Sequence, residues 1–430
     1  MEKTVSPKKL HKGDATLSVA KETLGVMMHG GPGKSRLVGL PEKKKNKYVI
    51  RIQQALASSA HRISLKSFQK ILGQVQHASA VMPTMRGHFT PMNRALRGKR
   101  PHDFVGLGTK SEVRETLTDL TQLLELAHIL PSHISEIVPP HLPHYYATVD
   151  AASIGFGGVF LPCTRWLAPT IWRVEMPSDL KTAVREGRLT MVDCEFVGYF
   201  ISNCHLHDLL LAEGKPTAGM SSHTFSDNSG AVGITTKQAS RASSPTPARA
   251  LRWLATRQRF FRSGAQSVQH WPGELNTMAD IPSRSYDHGF PKESDDKFLH
   301  AFSQQFPLPT QLGSWRLLQP SPEVCSAAFT LLRKIRGPDA RIPLGPGEIG
   351  VNLPESLAST LTSKTYSEPP TVWNESTCSW PLLLPCGKAC SVTESPLVGR
   401  LSRARFERAP KSSTIEDLQT HGNAIRAITT

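Results

Sequence analysis

Cysteine is scarce in this chain, and long hydrophobic runs are absent. Seven cysteines are scattered over 430 residues, and their odd number is unlike a disulfide framework. No CxxC pair with a histidine partner completes a zinc-binding pattern. No apolar run approaches the roughly 20 residues that span a bilayer. These absences predict an intracellular protein, in the cytoplasm and/or nucleus, with no membrane partner.

Acidic residues are also in short supply. Asp and Glu number 35 against 51 Lys and Arg, which gives a formal net charge of +16. Because Lys and Arg that neutralise phosphates release counterions, this balance favours a nucleic acid as the partner. A basic protein that is merely soluble remains the alternative.

Four of the acidic residues lie in four separate short motifs. They are Asp150 in YYATVDAA, Glu195 in MVDCEF, Asp227 in TFSDNSGAV and Asp280 in ELNTMADIPSR. Clustered carboxylates repel one another and are costly to bury unless cations neutralise them. Together they predict a site for hard divalent metals, which favour phosphate chemistry. Singly, each has a structural explanation as a turn residue or as a partner of a helix dipole.

Composition and periodicity divide the chain into five regions. We expect a flexible basic tail, a mainly helical segment, an α/β domain, a short helical linker and a mostly disordered extension rich in Pro, Ser and Thr. Their bounds are 1–36, 37–140, 144–288, 289–336 and 337–430. A short strand is expected near Leu37–Leu40.

Apolar residues at spacings of three and four predict two helices in the second region. Leu65, Phe68, Leu72 and Val75 form one stripe, with Ser64 able to cap the helix start. A second stripe runs from Val113 and ends before Pro131. The basic stretch between them carries Arg86 and Arg94, which we expect to contact a nucleic-acid backbone; a solvated loop is the alternative.

The α/β region reads as strand, strand, strand, helix, strand, helix, strand, helix. YYATVDA and IGFGGVFLP form a hairpin of two strands. LTMVDCEFVGYFISN predicts a helix on which Val192, Glu195 and Tyr199 share the packed face. Asn276 is expected to cap the helix that carries Asp280. The four acids thus fall on the first strand, the first helix, the fourth strand and the last helix.

At this point the chain resembles a known family, the ribonuclease H domain that follows the reverse transcriptase of long-terminal-repeat-type and DIRS-like retroelements. VDAASIGFGGVF, SDNSGAV and HWPGELNTMADIPSR match its first hairpin, third acidic motif and closing motif, and DCEFVGYF is a looser match. LPEKKKNKYVIRIQQALA and the helix after it resemble the thumb and connection of a reverse transcriptase. The resemblance implies a ribonuclease H-like α/β fold, with a mixed five-stranded sheet flanked by helices. A helical thumb-like segment would precede it and a largely irregular extension would follow.

The resemblance also implies an activity, the metal-dependent hydrolysis of the RNA strand of an RNA–DNA hybrid. Asp150 would bridge two Mg²⁺ ions, with Mn²⁺ as a possible substitute. Glu195 and Asp227 would hold one ion, and Asp280 would complete the other.

Further residues of the matched motifs are candidates for supporting roles. His270 could assist proton transfer, and packing beside Trp271 is the alternative. Asn228, Ser229 and Arg284 are expected to contact the nucleic acid.

The polymerase motif Tyr-x-Asp-Asp does not occur in the sequence. We therefore expect a truncated reverse transcriptase without the polymerase palm, for which a separate polymerase subunit is a possible partner. Two other functions stay open. One is an inactive nucleic-acid-binding remnant. The other is a DDE-type integrase, which is disfavoured because its acidic set ends with Glu rather than with an Asp such as Asp280.

Overall fold

The computed structural model describes most of the chain up to residue 333. The described residues are 20–23, 25–31, 34–129, 131–138, 143–163, 167–215, 217, 219–240, 245–287, 290–291, 294–333, 381–383 and 389–391. The helices among them are α1 Glu42–Leu56, α2 Leu65–Ala78, α3 Phe89–Leu96, α4 Glu112–Ile129, α5 Ile134–Ile137, α6 Ser178–Arg185, α7 Met191–Ala212, α8 Ser229–Lys237, α9 Pro245–Phe261, α10 Thr277–Arg284, α11 Asp295–Gln305 and α12 Pro322–Leu332. The strands are β1 Ala20–Thr23, β2 Val26–Gly31, β3 Lys34–Gly39, β4 Arg62–Ser64, β5 Phe104–Gly106, β6 Ser132–His133, β7 Tyr145–Ala151, β8 Gly155–Pro162, β9 Thr170–Glu175, β10 Ser222–Ser226, β11 Ser267–His270, β12 Arg316–Leu317, β13 Pro381–Leu383 and β14 Ala389–Ser391.

A mixed sheet forms the centre of the α/β region. Its strand order is β11-β10-β7-β8-β9-β12, with β7, β8 and β9 antiparallel. Strand β10 runs parallel to β7, and β11 runs parallel to β10. The expected α/β class and mixed sheet are confirmed, but the count of five strands is wrong because β12 adds a sixth. A two-residue strand carries no alternation, so the sequence pattern could not reveal β12.

Helix α7 is buried on every side. All residues from Asp193 to His207 are buried, because α7 packs against β7 and is also contacted by α9 and α12. The predicted packed face, with Val192, Glu195 and Tyr199, therefore covers only part of the buried surface of α7. A helix without a solvated face lies in the interior of a protein rather than on its surface.

The N-terminal part contains a second sheet and a helical core. Strands β1, β2 and β3 form an antiparallel meander that β6 extends. The expectation of a flexible tail is not met at residues 20–23, 25–31 and 34–36, since the paired backbones satisfy one another's hydrogen bonds. Residues 1–19 lie outside the described residues. Helix α2 spans the expected stripe, and the Ser64 side chain accepts a hydrogen bond from the backbone of Ser67 at 3.3 Å, as predicted.

Helix α9 joins the helical part to the α/β part through buried arginines. Arg252 forms ion pairs with Asp119 at 2.7 Å and with Glu115 at 3.4 Å, both on α4. Arg259 and Arg262 both pair with Glu136 on α5. A buried cation that loses its partner is very costly. These ion pairs therefore fix the position of α9 against α4 and α5.

The region beyond residue 289 is helical only in part. Helices α11 and α12 lie within the range predicted as a short helical linker, and α12 lies in the same hydrophobic core as α7. In the unit Pro370–Thr430, β13 and β14 form an antiparallel pair. The remainder of the extension predicted for 337–430 lies outside the described residues. Among the described helices, none has the length and apolar character of a membrane span.

Candidate metal centre

Three of the four candidate acids meet at one end of the central strands. Asp150 lies near the end of β7, Asp227 directly follows β10, and Glu195 lies in the first turns of α7. One carboxylate oxygen from each lies within 4.8 Å of the other two. Because one acid comes from each of three elements, the cluster exists only in the folded chain.

The sheet register and the helix packing explain why these residues meet. Phe225 on β10 pairs with Thr148 on β7, so the residues two positions further along both strands are neighbours on the same face. These are Asp227 and Asp150. Helix α7 crosses β7 closely at Gly198, where an added Cβ would lie 3.3 Å from the Val149 side chain. Glu195 lies one turn before Gly198 and is thereby held over the strand end.

Burial and mutual repulsion shift the ionisation of the three acids. Burial, together with the charges of the neighbouring Asp150 and Asp227, raises the pKa of Glu195 to about 9. Burial also raises the pKa of Asp150 to about 6, against the lowering effect of a hydrogen bond from Ser283. The half-buried Asp227 has a raised pKa, again mainly through burial. In the metal-free protein at neutral pH, Glu195 is therefore protonated.

The donor set fits a hard divalent cation. Among the described atoms, the buried Glu195 Oε2 has no hydrogen-bond partner, although buried polar atoms normally do. Carboxylate oxygens are the protein ligands that Mg²⁺ and Mn²⁺ prefer. A bound cation would satisfy the orphan oxygen and offset the repulsion that raises the pKa of these groups. The residues could thus hold a metal ion.

Asp280 lies beside this cluster, but it does not belong to the group of carboxylates whose oxygens lie within 4.8 Å of one another. Its carboxylate accepts a hydrogen bond from Arg284 Nε at 2.5 Å, and both side chains are about half exposed. Its charge nevertheless raises the pKa of both Asp150 and Asp227, so it lies near both. The structure therefore brings together three of the four predicted ligands and places the fourth at the rim.

The position of α10 depends on glycine in β8. Gly157 is the register partner of Asp150, and an added Cβ there would lie 2.3 Å from the backbone nitrogen of Ser283. Such a distance is shorter than any real contact, so only glycine allows α10 to lie this close to the strand. The IGFGGVF motif thus sets the distance between Asp280 and the cluster.

Two residues that contact the cluster's surroundings were missed as functional candidates. Ser283, which is fully buried, donates a hydrogen bond from Oγ to Asp150 Oδ2 at 2.5 Å. Asn276 occupies the N-cap position of α10, as expected, but its side chain makes no capping hydrogen bond and donates instead to the carbonyl oxygen of Val149 at 3.1 Å. Both belong to the closing motif, and their position three and four residues from Asp280 was the only signal in the sequence.

The other candidates in the matched motifs lie near the cluster. His270 is exposed at the end of β11 and donates from Nε2 to the Asp227 carbonyl oxygen at 3.0 Å. The side chain of Asn228 caps α8 by accepting from the backbone of Ala231 at 3.0 Å. Ser229 and Arg284 are exposed. The first of these contacts ties His270 to the strand end that carries Asp227.

The two candidates from the helical part differ in availability. Arg86 is exposed in the short 3-10 helix Pro83–His88. Arg94 donates to Glu112 at 2.9 Å, so its charge is already paired. Of the two, Arg86 therefore has the side chain that is open to a phosphate.

Comparisons with known proteins give little further information. No family model matches the sequence, and no curated protein matches it. Solved structures of the foamy viral protease-reverse transcriptase do align with it. The form called dRH, with double-stranded DNA, has 16% identity over 60% of this chain and 38% of that chain, with a TM-score of 0.24.

Two further foamy viral structures give the same picture. The complex with RNA/DNA hybrid has 14% identity over 63% of this chain and 31% of its own, with a TM-score of 0.24. A complex with double-stranded DNA has 14% identity over 60% of this chain and 46% of its own, also with a TM-score of 0.24. The chain spans less than half the length of these proteins, and at such TM-scores the likeness carries no argument about function.

Proposed function

We propose that this chain hydrolyses the RNA strand of RNA–DNA hybrids with divalent metal ions, as the ribonuclease H part of a retroelement reverse transcriptase. The observation that carries the proposal is the meeting of Asp150, Glu195 and Asp227, whose ligand atoms lie within 4.8 Å of one another. A cluster of two buried acids and one half-buried acid in a chain of net charge +16 fits a metal centre that faces a polyanion.

The topology supports the finer assignment. The motif resemblance implies acids on the first strand, the first helix, the fourth strand and the last helix of a ribonuclease H-like domain. Asp150 lies on the first strand of the central sheet, Asp227 follows the fourth, and Asp280 lies on α10. Glu195 lies on the second helix after β9, because the short α6 precedes α7.

The three clustered acids would hold the ion. Together with a second ion at Asp280, it would supply the Lewis acidity that activates a water and stabilises the leaving oxygen of the phosphodiester. Glu195, whose pKa is raised to about 9, must lose its proton when a cation binds. The buried Asp150 is held in place by Ser283, and Asp227 by the end of β10. The chain thus supplies a rigid set of anionic oxygens at the end of the sheet.

Asp280 is the proposed ligand of a second ion, and its pairing with Arg284 does not oppose this role. Both side chains are about half exposed, at 40% and 53%. An exposed pair four residues apart on a helix contributes only about 0.3–0.5 kcal/mol. A carboxylate can leave such a pair for a divalent cation at little cost, which would release Arg284 toward the nucleic acid.

The pairing also favours one alternative function, an inactive nucleic-acid-binding remnant. If Asp280 stays with Arg284, only the site of Asp150, Glu195 and Asp227 can hold an ion. Two-metal hydrolysis would then fail, while exposed cations such as Arg86 would still bind a hybrid.

A cleavage assay separates the two functions. A hybrid with labelled RNA is incubated with the full chain and Mg²⁺, with Mn²⁺ and EDTA as parallel conditions. We expect cleavage of the RNA strand only, and none with EDTA. Asp227→Asn should lower the rate at least about 100-fold, because a displaced metal loses its positioning role.

A matched control variant is Asp296→Asn, which removes an exposed acid from α11. It should cleave as the unmodified chain does. Binding of the hybrid without cleavage in Mg²⁺ or Mn²⁺ would reject the nuclease and support the remnant.

A further inference from the structure

Ser283 reaches the candidate metal centre from α10. Its Oγ donates to Asp150 Oδ2 at 2.5 Å and also lies 2.8 Å from the carbonyl oxygen of Asp280. Ser283 has no exposed surface, so water is not available to take over its hydrogen bond. A hydroxyl that donates to a carboxylate over such a short distance makes a strong, charge-assisted bond. One hydroxyl therefore fixes the orientation of the central acid of the cluster.

The packing around Ser283 leaves its hydroxyl little freedom. An added Cβ at Gly157 would lie 2.3 Å from the Ser283 nitrogen, and one at Gly155 would lie 2.9 Å from its carbonyl oxygen. The Ser283 backbone thus lies against β8 at two points. Because Gly157 is also the register partner of Asp150, the same piece of β8 fixes both ends of the hydrogen bond.

A buried arginine holds the segment that follows α10. Arg173 on β9 donates from Nη1 to Ser285 Oγ at 3.0 Å and to the carbonyl oxygen of Phe290 at 2.7 Å. It also donates from Nε to Asp295 at 3.0 Å, and it is almost completely buried. This clamp begins two residues after Ser283. It fixes the chain directly after the end of the helix.

We infer that Ser283 is a positioning residue for the metal centre, which orients the Asp150 carboxylate for the cation through its hydroxyl. The inference rests on the proposed function, since it concerns the same site. A residue that hydrogen-bonds to a metal ligand in this way usually contributes about 10–100-fold to metal affinity. Ser283 acts through Asp150 and does not itself touch the ion.

Calorimetric titration of the full chain with MnCl₂ tests this role without any substrate. We expect Ser283→Ala to bind Mn²⁺ about 10-fold more weakly than the unmodified chain. Ser283→Cys keeps a similar shape with a weak donor and should fall between the two. Gly157→Ala should also weaken binding, because it pushes Ser283 away from β8.

The matched control is Ser202→Ala, which removes a buried hydroxyl two turns along α7 from Glu195. It should bind Mn²⁺ as the unmodified chain does. Thermal unfolding in EDTA shows which variants are folded. If Ser283 had a purely structural role, its replacement would lower the unfolding temperature without changing the Mn²⁺ affinity of the folded variant. Unchanged Mn²⁺ affinity in a folded Ser283→Ala or Ser283→Cys would overturn the inference. If the unmodified chain binds no Mn²⁺, the proposed function itself fails, and this inference fails with it.

Discussion

Replacing Glu195 with glutamine should stabilise the metal-free protein while destroying its proposed activity. Glu195 is 5% exposed, and its pKa is raised to about 9 from the ordinary value of 4.5. Holding it protonated at pH 7 costs the folded state about 3 kcal/mol relative to the unfolded chain, because each pH unit above the ordinary pKa costs about 1.4 kcal/mol. Glutamine has nearly the same shape as the protonated acid and needs no proton.

The sign of the pH dependence follows from the raised pKa. Between pH 4.5 and about pH 9 the folded state holds a proton that the unfolded chain has lost, so the Glu195 contribution to stability falls as pH rises. Glutamine removes this loss. The advantage of Glu195→Gln in EDTA should therefore be near zero at pH 4.5 and grow steadily toward pH 8.

Thermal unfolding in EDTA at a series of pH values measures this difference. An advantage of about 3 kcal/mol at pH 7 corresponds to several degrees in Tm, since 1 kcal/mol shifts a domain of about 200 residues by roughly 2–4 °C. The control Glu125→Gln removes an exposed acid from α4 and should show no such trend. If Glu195→Gln unfolds at a lower temperature than the unmodified chain at pH 8, the assignment of Glu195 as a destabilising buried acid is wrong.

Three further results follow from the same contacts. Adding Mg²⁺ at pH 7 should release about one proton per protein, from Glu195. Calorimetry in buffers of different ionisation enthalpy detects this release. No release would contradict Glu195 as a metal ligand. Arg173→Met should lower the free energy of unfolding in urea by about 3 kcal/mol, because Asp295 and two backbone carbonyls lose their buried donor. The control is Arg185→Met, which changes an exposed arginine. Equal stability of the two variants would refute the role of Arg173 in holding the segment after α10. Ending the chain at residue 288 removes α12, whose Val324 and Leu331 are buried in the core of α7, so the product should be insoluble or unfold at least several degrees lower. An unchanged Tm would show that the segment is dispensable.

The hairpin of the α/β region and the placement of most acids could be read from the sequence. Alternation in YYATVDA and a spacing of three and four around Glu195 are local signals, and both predicted elements exist. The same holds for Ser64, whose capping role depends only on its own helix. Local patterns suffice wherever the determining interactions lie within one element.

Features that depend on contacts between distant segments could not be read. The hydroxyl of Ser283 meets Asp150 only because α10 crosses β8 at a glycine, and no spacing rule encodes that crossing. Asn276 looked like a helix cap, but the neighbouring β7 offered its side chain the carbonyl of Val149 instead. Tertiary partners override local preference at such positions.

The arginines of α9 show the same limit for charge. Arg252 and Arg259 contribute to the net positive charge, yet both are buried against acids on α4 and α5. Those acids precede them by more than 100 residues in the chain. Net charge therefore overstates the positive surface that is open to a nucleic acid, since part of it is used inside the protein.

The most direct test of the metal centre is a crystal of the full chain soaked in MnCl₂, with anomalous data collected at the manganese absorption edge. The account predicts an anomalous peak at about 2.2 Å from carboxylate oxygens of Asp150, Glu195 and Asp227, and no such peak in Asp150→Asn. Ordered Asp150, Glu195 and Asp227 side chains without manganese between them would contradict the account.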